Sequence, residues 1–220
     1  MNDLVKLVKN KNFPAIFDNN DLSKINMDKD QINLLLKEAL KNEWIINIYR
    51  DIYTLGKKYR YIAITMAELS QKIIKDSYVS TQYVLSKAMW IPEAIYGVTS
   101  VLEYNEESIN YRKWLTIKCN KYGKYMYDKL YENPIKEGIY IQKTFNGEFK
   151  CAKPLRALCD LLYLRNDEYT RIDELEAQFR MKRQNMEEDL KSEDFDELQG
   201  KFNIPLIEKF LSGIRKELRL

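Results

Sequence analysis

Histidine is absent from these 220 residues, and no other absence excludes so much chemistry. Without an imidazole there is no Ser-His or Cys-His nucleophile pair and no histidine metal site; carboxylate-held metals remain open. Cysteine is scarce. Cys119, Cys151 and Cys159 form an odd set without metal-like spacing, so free buried thiols in a reducing compartment are expected. The seven glycines are scattered, which leaves no glycine-rich phosphate loop. No apolar run reaches about 18 residues, so no membrane span and no membrane partner are expected. The opening MNDLVKLVKNKNF has neither a long apolar signal region nor a small-residue cleavage site, and a cytoplasmic location is expected. Nothing calls for a cofactor or a bound metal.

What is present is a chain that is 45% hydrophobic and 31% charged, enough for a sizeable core. Its formal charge of +3 hides an uneven distribution. Residues 1–63 carry net +3 and 64–164 net +3, residues 165–200 carry net −6, and 201–220 return to +3. An acidic segment inside a mildly basic chain suggests faces with different partners.

The first sixty residues alternate short helical patterns with two strand signals. Asp3 to Lys9 is amphipathic, and Phe13 to Phe17 is an apolar connector. Asp18 to Asp21 supplies capping residues for a short helix over 22–25. Asp28, with Gln31 three residues on, caps a third helix reaching about Asn42. Ile32, Leu35, Leu36, Ala39 and Leu40 form its apolar face, and Lys29, Asn33, Lys37 and Lys41 recur every fourth residue opposite. Trp44 to Arg50 and Ile52 to Leu55 are two strands around Arg50-Asp51, followed by Lys57 and Lys58. Helix, helix, turn, helix and hairpin is the order of a winged helix-turn-helix. Its third helix would enter a major groove of double-stranded promoter DNA. Lys29 and Asn33 would then stand near base edges, with Lys37, Lys41, Arg50, Lys57 and Lys58 on phosphates. The plainer alternative is that the stripe is a solvated helix face.

Leu69 to Ser100 joins this part to the next. Leu69, Ile73 and Ile74 make one short stripe, Asp76-Ser77 breaks it, and Ser80 stands at an N-cap. A second helix over 81–89 ends before Pro92, and Tyr96 to Glu103 is a strand. Further strands are expected over 109–118 and 124–130, and Asn146-Gly147 marks a hairpin between 138–144 and 148–152. Pro154 starts a helix that runs to Arg165.

These segments together, YVSTQYVLSKAMWIPEAIYGVTSV, GKYMYDKL and GIYIQKTFNGEFKCAKPLRALCDLLYL, resemble the AbiEi-type antitoxins of type IV toxin–antitoxin systems. The resemblance covers about residues 1–165 and is most specific over Tyr78–Ser100 and Ala152–Leu164. The family's usual Pro-Glu-Lys-Ala-Leu core is here Pro154-Leu155-Arg156-Ala157-Leu158, which lacks the acidic residue at Leu155. The resemblance implies an antitoxin that represses its own operon by binding promoter inverted repeats. It also implies a nucleotidyltransferase-type toxin countered without a stable complex.

The remaining residues read as four helices, over 167–181, 184–191, 192–199 and 205–218. The acidic run from Glu187 to Glu197 reads as a solvated face. Glu148, Lys150 and Asp128 have the residue types of a metal-dependent nuclease strand, the least favoured of the alternatives. A lone Asp160 is expected to be a cap or an ion-pair partner. The expected fold is α+β. It consists of a winged helix-turn-helix over 1–62, a mixed α/β antitoxin-like domain over 63–165, and a helical C-terminal extension over 166–220 packed on the second domain. The expected function is a non-enzymatic antitoxin and autorepressor. A stand-alone winged-helix regulator or protein-interaction adaptor is the main alternative.

Overall fold

The structure is a computed structural model that describes residues 1–10, 13–103, 114–119, 122–130 and 135–220. It is mixed α/β, with ten helices and two sheets among the described residues. No helix among the described residues is long and apolar enough to cross a membrane. The chain divides into two compact units. One comprises Met1–Lys75, Lys118–Gly123 and Lys143–Phe149; the other comprises the remainder.

In the first unit, α1 (Asp3–Val8), β1 (Ile16–Asp18), α2 (Asn19–Ser23) and α3 (Lys29–Lys41) precede β2 (Ile45–Tyr49), β3 (Ile52–Leu55) and α4 (Met66–Ile73). The strands form an antiparallel sheet in the order β1-β3-β2, with Phe17 and Asn47 flanking Tyr53. β1 occupies what reads in sequence as a connector, because three residues are too few to show an alternating pattern. The expected apolar face of α3 is inward: Ile32, Leu36 and Ala39 are buried with Leu4, Val5, Phe17 and Ile45, and Leu35 and Leu40 pack against them. Asn2 caps α1 through the Val5 N–H and donates its amide to Leu35 O at 2.8 Å, tying α1 to α3. Gly56 follows β3 where a Cβ would stand 2.2 Å from the Glu43 carbonyl oxygen, so only glycine fits.

One cation ties α4 to α2. Asp18 and Asp21 form a capping box on α2, and the Lys72 ammonium lies 2.9 Å from Asp18 and 2.7 Å from Asp21. Burial opposes ionisation of Asp21. Hydrogen bonds from Lys72, Lys24 and the Asp18 backbone N–H outweigh it and bring the carboxyl down to about 2. Burial likewise opposes the charge on Lys72, and its bonds to Asp21 and Asp18 more than offset this and raise it.

The second unit contains β4 (Ser77–Val79), α5 (Thr81–Lys87), β5 (Val98–Leu102), β6 (Trp114–Cys119), β7 (Gly123–Lys129), β8 (Ile139–Thr144) and β9 (Gly147–Ala152). Helices α6 (Pro154–Arg165), α7 (Ile172–Phe179), α8 (Arg183–Asp189), α9 (Ser192–Leu198) and α10 (Pro205–Leu218) follow. The ends of β6, β7, β8 and β9 fall within the stretches assigned to the first unit. The sheet order is β6-β7-β5-β4-β9-β8, antiparallel between β4 and β5 and parallel at β5–β7 and β4–β9. The strand expected over 109–118 is seen from Trp114; its first part lies outside the described residues. β4 falls on Ser77, where the sequence reads as a break. α7 starts five residues later than expected. Asn166 ends α6 in the left-handed region, and Glu174 accepts the Thr170 and Arg171 N–H groups ahead of the new helix.

Four polar side chains lock this unit. The buried Asp160 of α6 accepts from Tyr78 Oη at 2.9 Å, Ser80 Oγ at 2.6 Å and Arg156 Nε at 2.7 Å. Arg156, also buried, donates to Tyr78 Oη and to the carbonyls of Ile135 and Glu137. Burial disfavours its charge, but Asp160 and Tyr78 raise its pKa. Burial, then the facing Asp160, pushes the Tyr78 hydroxyl well up. Ser80 therefore stands at the N-cap of α5 without capping it. Thr99 Oγ1 accepts the Tyr83 N–H instead. Gly138 lies so close to Arg156 that a Cβ would meet the arginine Cβ at 2.7 Å. The C-terminal helices are held to the segment after α5. Trp90 Nε1 donates to Asp189 at 2.8 Å, and Asn185 donates to Met89 O at 2.7 Å.

Two outcomes follow from these pairs. Lys72→Met should cost about 1–3 kcal/mol at neutral pH, read from urea unfolding. The Asp21 contribution in the parent should be present above pH 3.8 and fade as pH falls through about 2. Asp160→Ala should cost about 3–5 kcal/mol, because it leaves the Arg156 charge uncompensated. Adding Arg156→Met to that variant should cost far less than Arg156→Met alone, a coupling that a double-mutant cycle measures.

Candidate nucleic-acid interface

α3 is set by Asp28, whose carboxylate accepts the Asp30 N–H at 2.9 Å and the Gln31 N–H at 3.3 Å. Its buried face fixes which side chains point away. Lys29, Asn33, Lys37 and Lys41 are all exposed, and none has an ion-pair or hydrogen-bond partner through its side chain among the described residues. Residues four apart advance about 400° around a helix, so the stripe drifts about 40° per step. Lys29 and Asn33 stand close to one line, whereas Lys41 is turned about 120° from Lys29. The acidic Glu38 on the same helix is engaged by the Asn2 amide at 2.9 Å. Leu34, 69% exposed, lies between Lys37 and Glu38 on the wheel, an apolar residue the charge pattern does not reveal.

The next cation follows in the β2–β3 turn. Arg50 takes φ 46°, and the Asn47 amide donates to the Arg50 carbonyl at 2.5 Å, which holds that left-handed residue in place. The Arg50 guanidinium lies 5.2 Å from the Tyr49 ring and is exposed, with the exposed Asp51 next in sequence. Lys57 and Lys58 are exposed on the turn after Gly56, where the Tyr59 N–H returns to the Gly56 carbonyl at 2.8 Å. Lys58 lies 6.0 Å from the Tyr59 ring. All seven cationic or amide side chains singled out in the sequence are thus on the surface of one unit. Four lie on α3, one in the hairpin turn and two beyond β3.

Chemically, unpaired ammonium groups on a rigid helix offer point charges to phosphate. An exposed amide beside them offers both a donor and an acceptor to a base edge. Arg60 is a further cation, half-buried and without an ion pair among the described residues; its place after Gly56-Lys57-Lys58 was the only sequence signal for it.

The other constellations dissolve into internal contacts. Lys150 binds Glu103 at 2.7 Å rather than serving a metal-bound water. Asp128 is on β7 and Lys150 on β9, separated by β5 and β4, about 14 Å across the sheet at the usual strand spacing. Burial raises the Asp128 carboxyl, and Glu148 is exposed. Asp128 is thus not brought together with Glu148 and Lys150, which share β9. In the acidic run, Asp194 and Glu197 face Lys153, Asp196 binds Arg215 at 2.8 Å, and Glu187 faces Arg183. Much of what reads as a solvated face is therefore engaged within the chain. The three cysteines are buried and free.

No family model matches the chain, and no curated protein matches it.

If Asn47 holds the hairpin turn, Asn47→Ala should cost about 1 kcal/mol and speed hydrogen exchange at the Arg50 and Ile52 amides, with the amides of α3 unchanged.

Proposed function

We propose that the chain is a DNA-binding autorepressor whose first unit is a winged helix-turn-helix, and that it serves as the antitoxin of a type IV toxin–antitoxin system. The observation that carries the DNA reading is the exposed, unpaired set Lys29, Asn33, Lys37 and Lys41 on α3. The element order α1-β1-α2-α3-β2-β3 and the sheet order β1-β3-β2 support the same reading. In it, α3 lies in the major groove with its N-terminal residues Lys29 and Asn33 deepest. Lys37, Lys41, Arg50, Lys57 and Lys58 neutralise phosphates.

The antitoxin part rests on the resemblance to the AbiEi-type family. Its two most specific segments meet at one point: Tyr78 and Ser80 from the first bind Asp160 from the second. The partner would be a nucleotidyltransferase-type toxin, countered without a stable complex. A second reading, a winged helix that docks on protein, is favoured by the exposed Leu34.

Binding of the purified chain to its own upstream duplex, against a scrambled duplex over a range of salt, tests the first part. Specific binding should weaken steeply with salt. Lys37→Glu should reduce it about tenfold or more and flatten the salt slope by about one unit. Equal weak binding to both duplexes, indifferent to Lys37→Glu, would remove the repressor and favour protein docking. The antitoxin part predicts a neighbouring gene for a nucleotidyltransferase whose growth arrest this chain relieves, with Lys37→Glu still relieving it. A neighbour of another kind would leave a stand-alone regulator.

A further inference from the structure

The first unit holds a groove of about 730 Å³ that neither the DNA reading nor the antitoxin reading uses. Its lining comes wholly from this unit: the end of α1, the segment before β1, the end of β3, residues 60–62, and the tip of the β8–β9 hairpin. Among the described residues, two cations, Lys9 and Arg60, line it, and no carboxylate does. Three aromatic rings line it as well. Phe13 is half-buried against Phe17, whereas Tyr61 is 65% exposed and Phe145 is 92% exposed. The Lys9 ammonium stands 5.5 Å from the centroid of the Tyr61 ring, so one cation and one ring already share a face.

The hairpin wall is fixed from behind. Asn146 donates its amide to Ala63 O at 3.0 Å and to the Glu68 carboxylate at 3.3 Å. The Thr144 hydroxyl hydrogen-bonds to the same carboxylate, which also receives the Thr65 N–H at 2.7 Å. Glu68 is buried, so the tip carrying Phe145 is latched to the start of α4. Large rings left facing water on a latched wall, beside cations with no acid in the described lining, suit a ligand that is flat and aromatic at one end and anionic at the other.

We propose that this groove binds a nucleoside monophosphate, its base against Tyr61 and Phe145 and its phosphate between Arg60 and Lys9. The proposal is independent of the DNA reading, since it uses none of the α3 side chains.

Calorimetric titration of the full chain with each of the four 5′-ribonucleoside monophosphates, with adenosine and with inorganic phosphate tests it. At least one monophosphate should bind, and adenosine and phosphate should each bind at least about tenfold more weakly than AMP if AMP is among the binders. Phe145→Ala and Arg60→Ala should each weaken the monophosphate about tenfold, and Lys37→Glu should leave it unchanged. Phe145 is exposed, so its removal leaves the fold in place. The proposal is overturned if none of the four binds at millimolar concentration, if phosphate alone binds as well, or if neither groove variant changes the affinity.

Discussion

The Asp160 carboxylate is removed from water, and a charge so placed must be met on every side by donors. Its three donors come from β4, from the residue that enters α5, and from its own helix one turn earlier. That requirement fixes where α6 lies on the sheet. It also removes Ser80 from its capping role, so Thr99 must take over the N-terminus of α5. Next to Ser80, Thr81 takes φ 51° despite its branched side chain and keeps a buried hydroxyl without a partner among the described residues. Arg156 extends the same network to the carbonyls of Ile135 and Glu137, and Gly138 is needed for the backbone to come that close. A hydrophobic pair could hold the helix as firmly. A carboxylate with three directed donors also specifies its register.

The first unit separates its cations into two kinds. Lys72 is consumed by structure: it satisfies Asp18 and Asp21 and joins α4 to α2. Lys29, Lys37, Lys41 and Lys57 lie exposed and make no ion pair among the described residues, although Asp28 and Asp30 flank Lys29 in sequence. An exposed ion pair contributes little stability, so pairing these groups would gain the fold almost nothing. Left unpaired, they supply a field that phosphate can use. This difference in use, more than the number of basic residues, is what the proposed nucleic-acid reading rests on.

Much of this was legible in the sequence where a period was long enough to see. The thirteen residues of α3 show their apolar face, their Asp28 cap and their polar stripe in full. The Asn146-Gly147 signal lies at the turn between β8 and β9, and Pro154 opens α6. The three-residue strands β1 and β4 were not legible, because each holds a single repeat of the two-residue strand period and all three of its residues are buried, so no alternation shows. The role of Asp160 was visible only as a choice between cap and ion pair, since Tyr78 lies 82 positions away in the chain. The Glu68 latch had a signal in Thr65-Met66-Ala67-Glu68, the spacing of a capping box, but its bonds to Thr144 and Asn146 depend on tertiary structure. The aromatic and basic lining of the groove is scattered from Lys9 to Phe145 and has no local signature.

The central claim is that the exposed face of α3 meets DNA, and backbone amide shifts of the isotopically labelled chain, recorded as its own upstream duplex is added, test it most directly. The account predicts salt-sensitive shifts concentrated at Lys29 to Lys41 and in the Arg50 turn, with the amides around Asp160 unmoved. Shifts confined to other parts of the chain, or equal shifts with a scrambled duplex, would contradict it.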